Sequence, residues 1–107
     1  MLSLPELIAD YFCLPADASA NELGRVLAED AIVRDEHRAH QGLEAIRAWR
    51  IDTMARTPFE LRPLGVEHRD GAVVVTAEVS GAFPGSPVRL DHRFELNQGR
   101  ISALEIA

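Results

Sequence analysis

The spacing of the apolar residues changes near the middle of the chain, from a helical repeat to the alternation typical of strands. Before Pro58 the apolar residues recur mainly every three or four positions, whereas from Phe59 onward they alternate with polar ones. The first pattern places side chains on one face of a helix, and the second places them on one face of a strand. Helices followed by consecutive hairpins predict an α+β fold, with the helices on one face of an antiparallel sheet.

Three helices and one short strand are predicted in the first half. The capping-box sequence Ser3-Leu4-Pro5-Glu6 marks the start of the first helix, and Ser19-Ala20-Asn21-Glu22 marks the start of the second. The third opens at Gly42 and ends before Pro58, because the residue preceding a proline disfavours helix. A strand over residues 31–35 separates the second helix from a polar stretch, and that stretch leads to the third.

Turn sequences divide the second half into four strands. Asp70-Gly71, Pro84-Gly85 and Asn97-Gln98-Gly99 each fall between alternating segments, as turns of an antiparallel meander do. Pro63 interrupts the first of these strands and shifts its phase, which predicts a bulge.

The charge balance argues against two classes of partner. The chain carries 17 acidic and 11 basic side chains, a formal net charge of −6, and all the basic ones are arginines, none of them in a run. Nucleic-acid binding needs clustered cations that displace counterions from phosphates. Anionic membrane surfaces repel an acidic chain. We therefore expect neither nucleic acid nor a membrane as a partner.

Length and cysteine content favour one cytoplasmic domain over residues 1–107. A chain of 107 residues has the size of a single domain with one modest core. The first residues lack the basic region of a signal peptide, and no apolar run reaches membrane-spanning length. Cys13 is the sole cysteine, which excludes an internal disulfide and a cysteine-based zinc site.

Several segments resemble the SnoaL-like and ketosteroid isomerase-like group of the nuclear transport factor two-like superfamily. Glu29–Asp35 is similar to the first-strand segment of that group, and Gln41–Trp49 to its G-x-x-A-I-x-x-W entry into the long helix. Leu90–Phe94 together with Gly99–Ile101 is similar to its closing hairpin. The resemblance covers essentially the whole chain. It implies a cone in which a strongly curved antiparallel sheet wraps around three helices and leaves a pocket at the open end. It also implies a homodimer, which is common in this group.

Asp35 and Tyr11 are the first candidates for catalysis. Asp35 shares a strand face with Ala31 and Val33, so its carboxylate points to the apolar side, where it can act as a base near neutrality. By the resemblance it matches the aspartate that moves a proton beside a ketone, and Tyr11 matches an oxyanion-hole tyrosine. The alternatives are an aspartate bonded to loop amides and a tyrosine packed in the core.

The third catalytic candidate is either Asp91 or His92. Counting back from Gly99 without gaps, the resemblance matches Asp91 to the second aspartate of the isomerase. Periodicity instead places His92 inward, on the face shared by Val88, Leu90, Phe94 and Leu96. A buried histidine can carry a proton, donate a hydrogen bond to a substrate carbonyl, or be an ordinary core residue.

Four further residues are expected around the pocket, and no cofactor is expected in it. Trp49 and Val33 are candidates for its wall, and Glu36 and His40 for its mouth. The stretch from Asp35 to His40 holds potential metal ligands, but Arg38 opposes cation binding and no helical H-x-x-x-H spacing is present. A solvent-exposed polar loop is the better interpretation, and the chain has no Gly-rich phosphate loop.

Two main functions remain open from the sequence. The first is acid/base isomerase or cyclase chemistry on a small, mainly apolar carbonyl compound. The second is a non-catalytic domain that binds a small ligand or dimerises, because one fold hosts many functions. A lower alternative is a limonene-type epoxide hydrolase, since Arg89-Leu90-Asp91 is similar to its R-x-D element. That enzyme needs a second aspartate on the final strand, where this chain has only Glu105.

Overall fold

The structure is a computed structural model that describes residues 2–107. Within this range the chain forms three helices and six strands, which confirms the predicted α+β class. In chain order these are α1 (Glu6–Cys13), α2 (Ala20–Leu23), β1 (Leu27–Asp35), β2 (Arg38–Gln41), α3 (Leu43–Arg56), β3 (Phe59–Arg69), β4 (Ala72–Gly81), β5 (Val88–Asn97) and β6 (Arg100–Ile106).

The six strands form one curved, open sheet in the order β2-β1-β6-β5-β4-β3. Strands β3 to β6 make the predicted antiparallel meander, and the register shifts between Pro63 and Gly65, where the bulge was predicted. Strand β1, however, pairs with β6 in parallel, so the sheet is mixed rather than wholly antiparallel. Alternation identifies strands but carries no information on the direction in which distant strands pair. The bulges bend the sheet around the helices.

The two predicted capping boxes have different outcomes. At α2, the Ser19 hydroxyl accepts from the backbone N–H of Glu22 at 3.2 Å, and the Glu22 carboxylate accepts from the Ser19 N–H at 3.0 Å, so that box is confirmed. At α1, the box predicted at Ser3 is wrong. The helix begins at Glu6 behind Pro5, whose carbonyl accepts from the N–H groups of Ile8 and Ala9, and no side chain caps it.

The polar stretch before α3 is a hairpin, not a loop. Arg38–Gln41 pairs with the end of β1 as the edge strand β2, joined to it by Glu36 and His37. Its side chains are all polar or small, so no alternation in the sequence marks it as a strand. Glu36 and His37 have φ angles of +52° and +64°, the conformation of the two central residues of a type I′ turn.

Replacing Glu36-His37 by Asn-Gly should stabilise the protein. Both residues occupy the left-handed region, which costs a residue with a Cβ roughly 1–2 kcal/mol and which Asn and Gly adopt more readily. We expect the free energy of unfolding, measured in urea, to rise by about 1 kcal/mol, because relief of the left-handed cost outweighs the extra freedom that glycine gives the unfolded chain. Asp70→Asn is the control, because Asp70 (φ +51°) already precedes a glycine in its own turn and should change little. No gain in the double variant would contradict the turn assignment.

One hydrophobic cluster joins the inner face of the sheet to the helices. Its aromatic part packs edge to face, with the ring of Tyr11 5.5 Å from those of Phe12 and Phe94. None of the helices among residues 2–107 has the length and apolar character needed to span a membrane. The buried members of the cluster are Ile8, Tyr11, Ala18, Leu23, Val26, Leu27, Ala31, Val33, Ile46, Val73, Val75, Phe94, Ile101 and Leu104.

Candidate active site

Helices α1 and α3 and the open end of the sheet enclose a cavity of about 430 Å³. Every strand except β2 contributes to its wall. Much of this wall is apolar and includes Phe12, Leu14, Met54, Phe59, Leu90 and Ile106. Pockets with apolar walls and a few polar groups typically bind small molecules, the polar groups setting the orientation of the ligand.

Three of the predicted catalytic residues meet at this cavity. Tyr11 reaches it from α1, Asp35 from the end of β1, and His92 from the middle of β5. Trp49 and Glu36, two of the expected pocket residues, also line it. The side chains come from elements that are far apart in the sequence, so the cavity exists only because the sheet curves over the helices.

Asp35 combines partial burial with a base-like environment. Burial raises the pKa of its carboxyl group, and the neighbouring Glu36 carboxylate raises it further. The indole N–H of Trp49, acting as a hydrogen-bond donor, and the ring of His40 oppose this shift by favouring the charged form. Because its pKa lies above the usual aspartate range, the carboxylate is a stronger base than an exposed one.

Tyr11 is a buried phenol that is influenced by a cation and by a carboxyl group. Its exposed fraction is 4%. Burial raises the pKa of the phenol most, the guanidinium of Arg50 lowers it as a charge and as a hydrogen-bond donor, and Asp35 raises it. The Cζ atom of Arg50 lies 5.2 Å from the centroid of the phenol ring. The net rise keeps the phenol protonated, so it can donate a hydrogen bond to a ligand at neutral pH.

His92 is buried and neutral. Burial lowers the pKa of its imidazole, against smaller opposing effects of the Leu90 carbonyl and of Asp91. The Nδ1 atom lies 3.4 Å from the carbonyl oxygen of Leu90, and because a carbonyl can only accept, the tautomer with its proton on Nδ1 makes a hydrogen bond there. In that tautomer Nε2 carries a lone pair. His92 therefore suits accepting a hydrogen bond or a proton better than donating to an oxyanion.

The structure separates His92 from Asp91, as the alternation predicts. His92 is 2% exposed and pairs with Val75, whereas Asp91 is exposed, pairs with Thr76 and accepts a hydrogen bond from its hydroxyl at 2.9 Å. Asp91 is therefore not at the cavity, contrary to the ungapped match. The hairpin that follows has a two-residue turn, Gln98-Gly99, which sets this register. Arg89 is also exposed, so the R-x-D element lies outside the cavity as well.

Two expected pocket residues lie elsewhere. Val33 is completely buried in the core and does not line the cavity, because the inward face of β1 reaches the cavity only at its last residue. His40 also lies behind the wall, where its ring stacks on that of Trp49 at a centroid distance of 5.5 Å. Residues 2–107 contain no group of three or more His, Cys, Asp or Glu side chains placed to hold a metal ion.

Arg50 is a charged cavity residue that the sequence analysis did not identify. It lies on the inward side of α3, one position after Trp49 and four after the buried Ile46. That helical spacing was the available signal, since an arginine four residues from a core isoleucine occupies the same face. An arginine in an otherwise charged helix is easily taken for a solvated residue, and for this reason it was missed.

Among known proteins, the chain is similar to several solved structures. No protein-family model matches the chain, and no curated protein matches it. A candidate polyketide cyclase from Sinorhizobium meliloti is 38% identical over 97% of this chain and 95% of its own, with a TM-score of 0.86.

Two more distant structures share the fold. A protein from Catenulispora acidiphila with a ketosteroid isomerase-like fold, solved in complex with trimethylamine, is 18% identical, with 98% of this chain and 86% of its own covered and a TM-score of 0.78. A SnoaL-like candidate polyketide cyclase from a Jannaschia species is 20% identical, with 95% and 82% covered and a TM-score of 0.76.

Proposed function

Because this chain belongs to the SnoaL-like and ketosteroid isomerase-like group of the nuclear transport factor two-like superfamily, we propose that it catalyses proton transfer beside a carbonyl group. The substrate is a small, mainly apolar carbonyl compound, bound in the cavity between α1, α3 and the sheet. The reaction class is isomerisation or cyclisation through an enolate. The observation that carries this proposal is that a carboxyl group with a raised pKa lines the same, mainly apolar cavity as a buried, protonated phenol.

The proposed roles follow from the protonation states. The Asp35 carboxylate takes the proton from the carbon next to the carbonyl, and the electrons of the broken C–H bond move to the carbonyl oxygen. Tyr11 donates a hydrogen bond to that oxygen, because burial keeps its pKa above the ordinary range. Asp35 then returns the proton to the same carbon or to another carbon of the conjugated system. No further reactant is consumed.

Ligand binding without catalysis is the second candidate function. The arrangement of His92 favours it, since a neutral ring with its proton on Nδ1 cannot donate from Nε2 to the enolate oxygen. Among the predicted catalytic residues, Tyr11 would then be the main hydrogen-bond donor to that oxygen. Dimerisation, the other non-catalytic role expected from the sequence, stays a prediction.

The test is exchange of α-hydrogens for deuterium in a bicyclic ketone, 1-tetralone, followed by proton NMR in D₂O. Under the proposal the protein accelerates exchange above buffer alone. The rate should rise with pH through a midpoint above the ordinary aspartate range, because the active form of Asp35 is the carboxylate and its pKa is raised. The rate should then stay level until Tyr11 ionises. Exchange no faster than in buffer would favour the binding function instead.

A further inference from the structure

Arg50 brings a positive charge to the cavity without a carboxylate partner. Its Nη2 atom donates to the backbone carbonyls of Leu14, at 3.4 Å, and Pro15, at 3.2 Å, which holds α3 against the end of α1. Its Nε atom is buried and has no hydrogen-bond partner within the described part of the chain. None of the ion pairs among residues 2–107 involves Arg50.

This arrangement differs from that of the other arginine at the cavity. Arg56 is bound to Asp52 at 2.9 Å, and both side chains are more than 60% exposed, so solvent and a counterion already stabilise its charge. Arg50 is less exposed to solvent, and none of the ion pairs among residues 2–107 gives it a carboxylate partner. Arg50 is half-buried, and a partly desolvated cation without a counterion is stabilised when a ligand of opposite charge binds beside it.

The surroundings of Arg50 define the kind of ligand that would complete it. Two of its contacts are backbone carbonyls, which satisfy hydrogen-bond donors without neutralising the charge. The third is Tyr11, which offers Arg50 a ring face and a phenol oxygen, and both are neutral and so weaker partners for a cation than a carboxylate. A planar guanidinium with free donors matches a carboxylate in geometry and in charge.

We propose that the ligand of this cavity carries a carboxylate, which Arg50 binds, in addition to the apolar body that fills the cavity. This deepens the proposed function, on which it rests: the substrate class becomes small, mainly apolar keto acids. Arg50 is then a specificity residue, and the carboxylate would sit on the Tyr11 side of the cavity. Because the net charge of the protein is −6, an anion is attracted here by the local charge of Arg50 and not by the protein as a whole.

The experiment compares two probes of the same shape, 1-adamantanecarboxylate and 1-adamantanecarboxamide. Trp49 lines the cavity and is the sole tryptophan of the chain, so its fluorescence reports binding of either probe. At neutral pH we expect the carboxylate to bind about tenfold more tightly than the amide or better, the range of a charge-assisted hydrogen bond. Equal affinities, tighter binding of the amide, or no binding of the carboxylate would overturn the proposal.

Variants assign the preference to Arg50. Arg50→Gln keeps a donor for the carbonyl of Leu14 but removes the charge, and it should lose the preference for the carboxylate while still binding the amide. Arg50→Lys keeps the positive charge and should retain part of the preference for the carboxylate. Arg47→Gln is the matched control, because Arg47 lies on α3 away from the cavity wall and its loss should leave the preference unchanged. A preference that survives in Arg50→Gln would overturn the assignment.

The wild-type comparison needs no variant, so it stands even if Arg50→Gln folds poorly. Binding is measured at equilibrium and requires no turnover. If the protein failed to exchange α-hydrogens but preferred the carboxylate, the proposed chemistry would be wrong and the ligand class right. Exchange that depends on Asp35 without any preference for the carboxylate would mean that the chemistry is right and the ligand class wrong.

Discussion

Asp35→Asn should lower the rate of α-hydrogen exchange by about 10²–10⁴-fold, the usual contribution of a general base. An amide has nearly the shape of the carboxyl group but cannot accept the proton. The variant should still bind 1-adamantanecarboxamide, since the apolar wall is unchanged. Exchange rates from NMR and Trp49 fluorescence titrations measure the two effects separately.

The stability of this variant gives a second, independent check. Burial raises the pKa of Asp35, so the folded state disfavours the carboxylate and loses stability as the pH rises through that raised pKa. Below the ordinary aspartate range the carboxyl is neutral in both states and the penalty vanishes. Asp35→Asn should therefore be at least as stable as the wild type in urea at neutral pH, with the difference shrinking in acid.

Asp91→Asn is the matched control for the loss of activity. It makes the same chemical change, but Asp91 lies exposed on the outer face of β5, bonded to Thr76. The exchange rate should stay within about twofold of wild type, as for a surface substitution remote from the site. A large loss in Asp91→Asn, with little loss in Asp35→Asn, would mean that the residue bearing the chemistry has been misassigned.

The periodicity of the sequence accounts for much of the fold and for part of the site. Alternation places Asp35 and His92 on inward faces, and the helical repeat does the same for Tyr11, since burial of neighbouring apolar residues orients a strand or a helix as a unit. Asp91 shows the limit of matching by sequence position alone: a turn one residue shorter reverses every side chain between the two faces. Alternation within β5 was the more reliable guide there.

The remaining features depend on contacts between distant segments. The parallel pairing of β1 with β6 joins residues about seventy positions apart, and no local pattern specifies it. Strand β2 has no apolar face to mark it. Val33 and His40 were assigned to the pocket because they neighbour Asp35 and Trp49, whereas the cavity wall is decided by where the curved sheet ends. Arg50 was missed for a related reason, since its contacts are with Tyr11 and with the carbonyls of Leu14 and Pro15, all distant in the sequence.

Tyr11→Phe should slow exchange by about 10²–10³-fold, because removing one donor to an oxyanion typically costs about 2.7–4 kcal/mol. The ring contacts with Phe12 and Phe94 at 5.5 Å remain, so the free energy of unfolding in urea should fall by no more than about 1 kcal/mol, the loss of the hydrogen bond from Arg50. Arg50 strengthens this expectation, since a guanidinium beside the phenol polarises the O–H that faces the developing negative charge.

Two comparisons decide whether Tyr11 acts as the donor. His92→Gln should cost less than Tyr11→Phe, because the neutral His92 ring offers a lone pair, not a proton, at Nε2. Adding Tyr11→Phe to Asp35→Asn should cost less than the two single losses multiplied together, because residues that stabilise one transition state are not independent. If instead His92→Gln caused the larger loss, the histidine would carry its proton on Nε2 and the oxyanion would lie against β5 rather than α1.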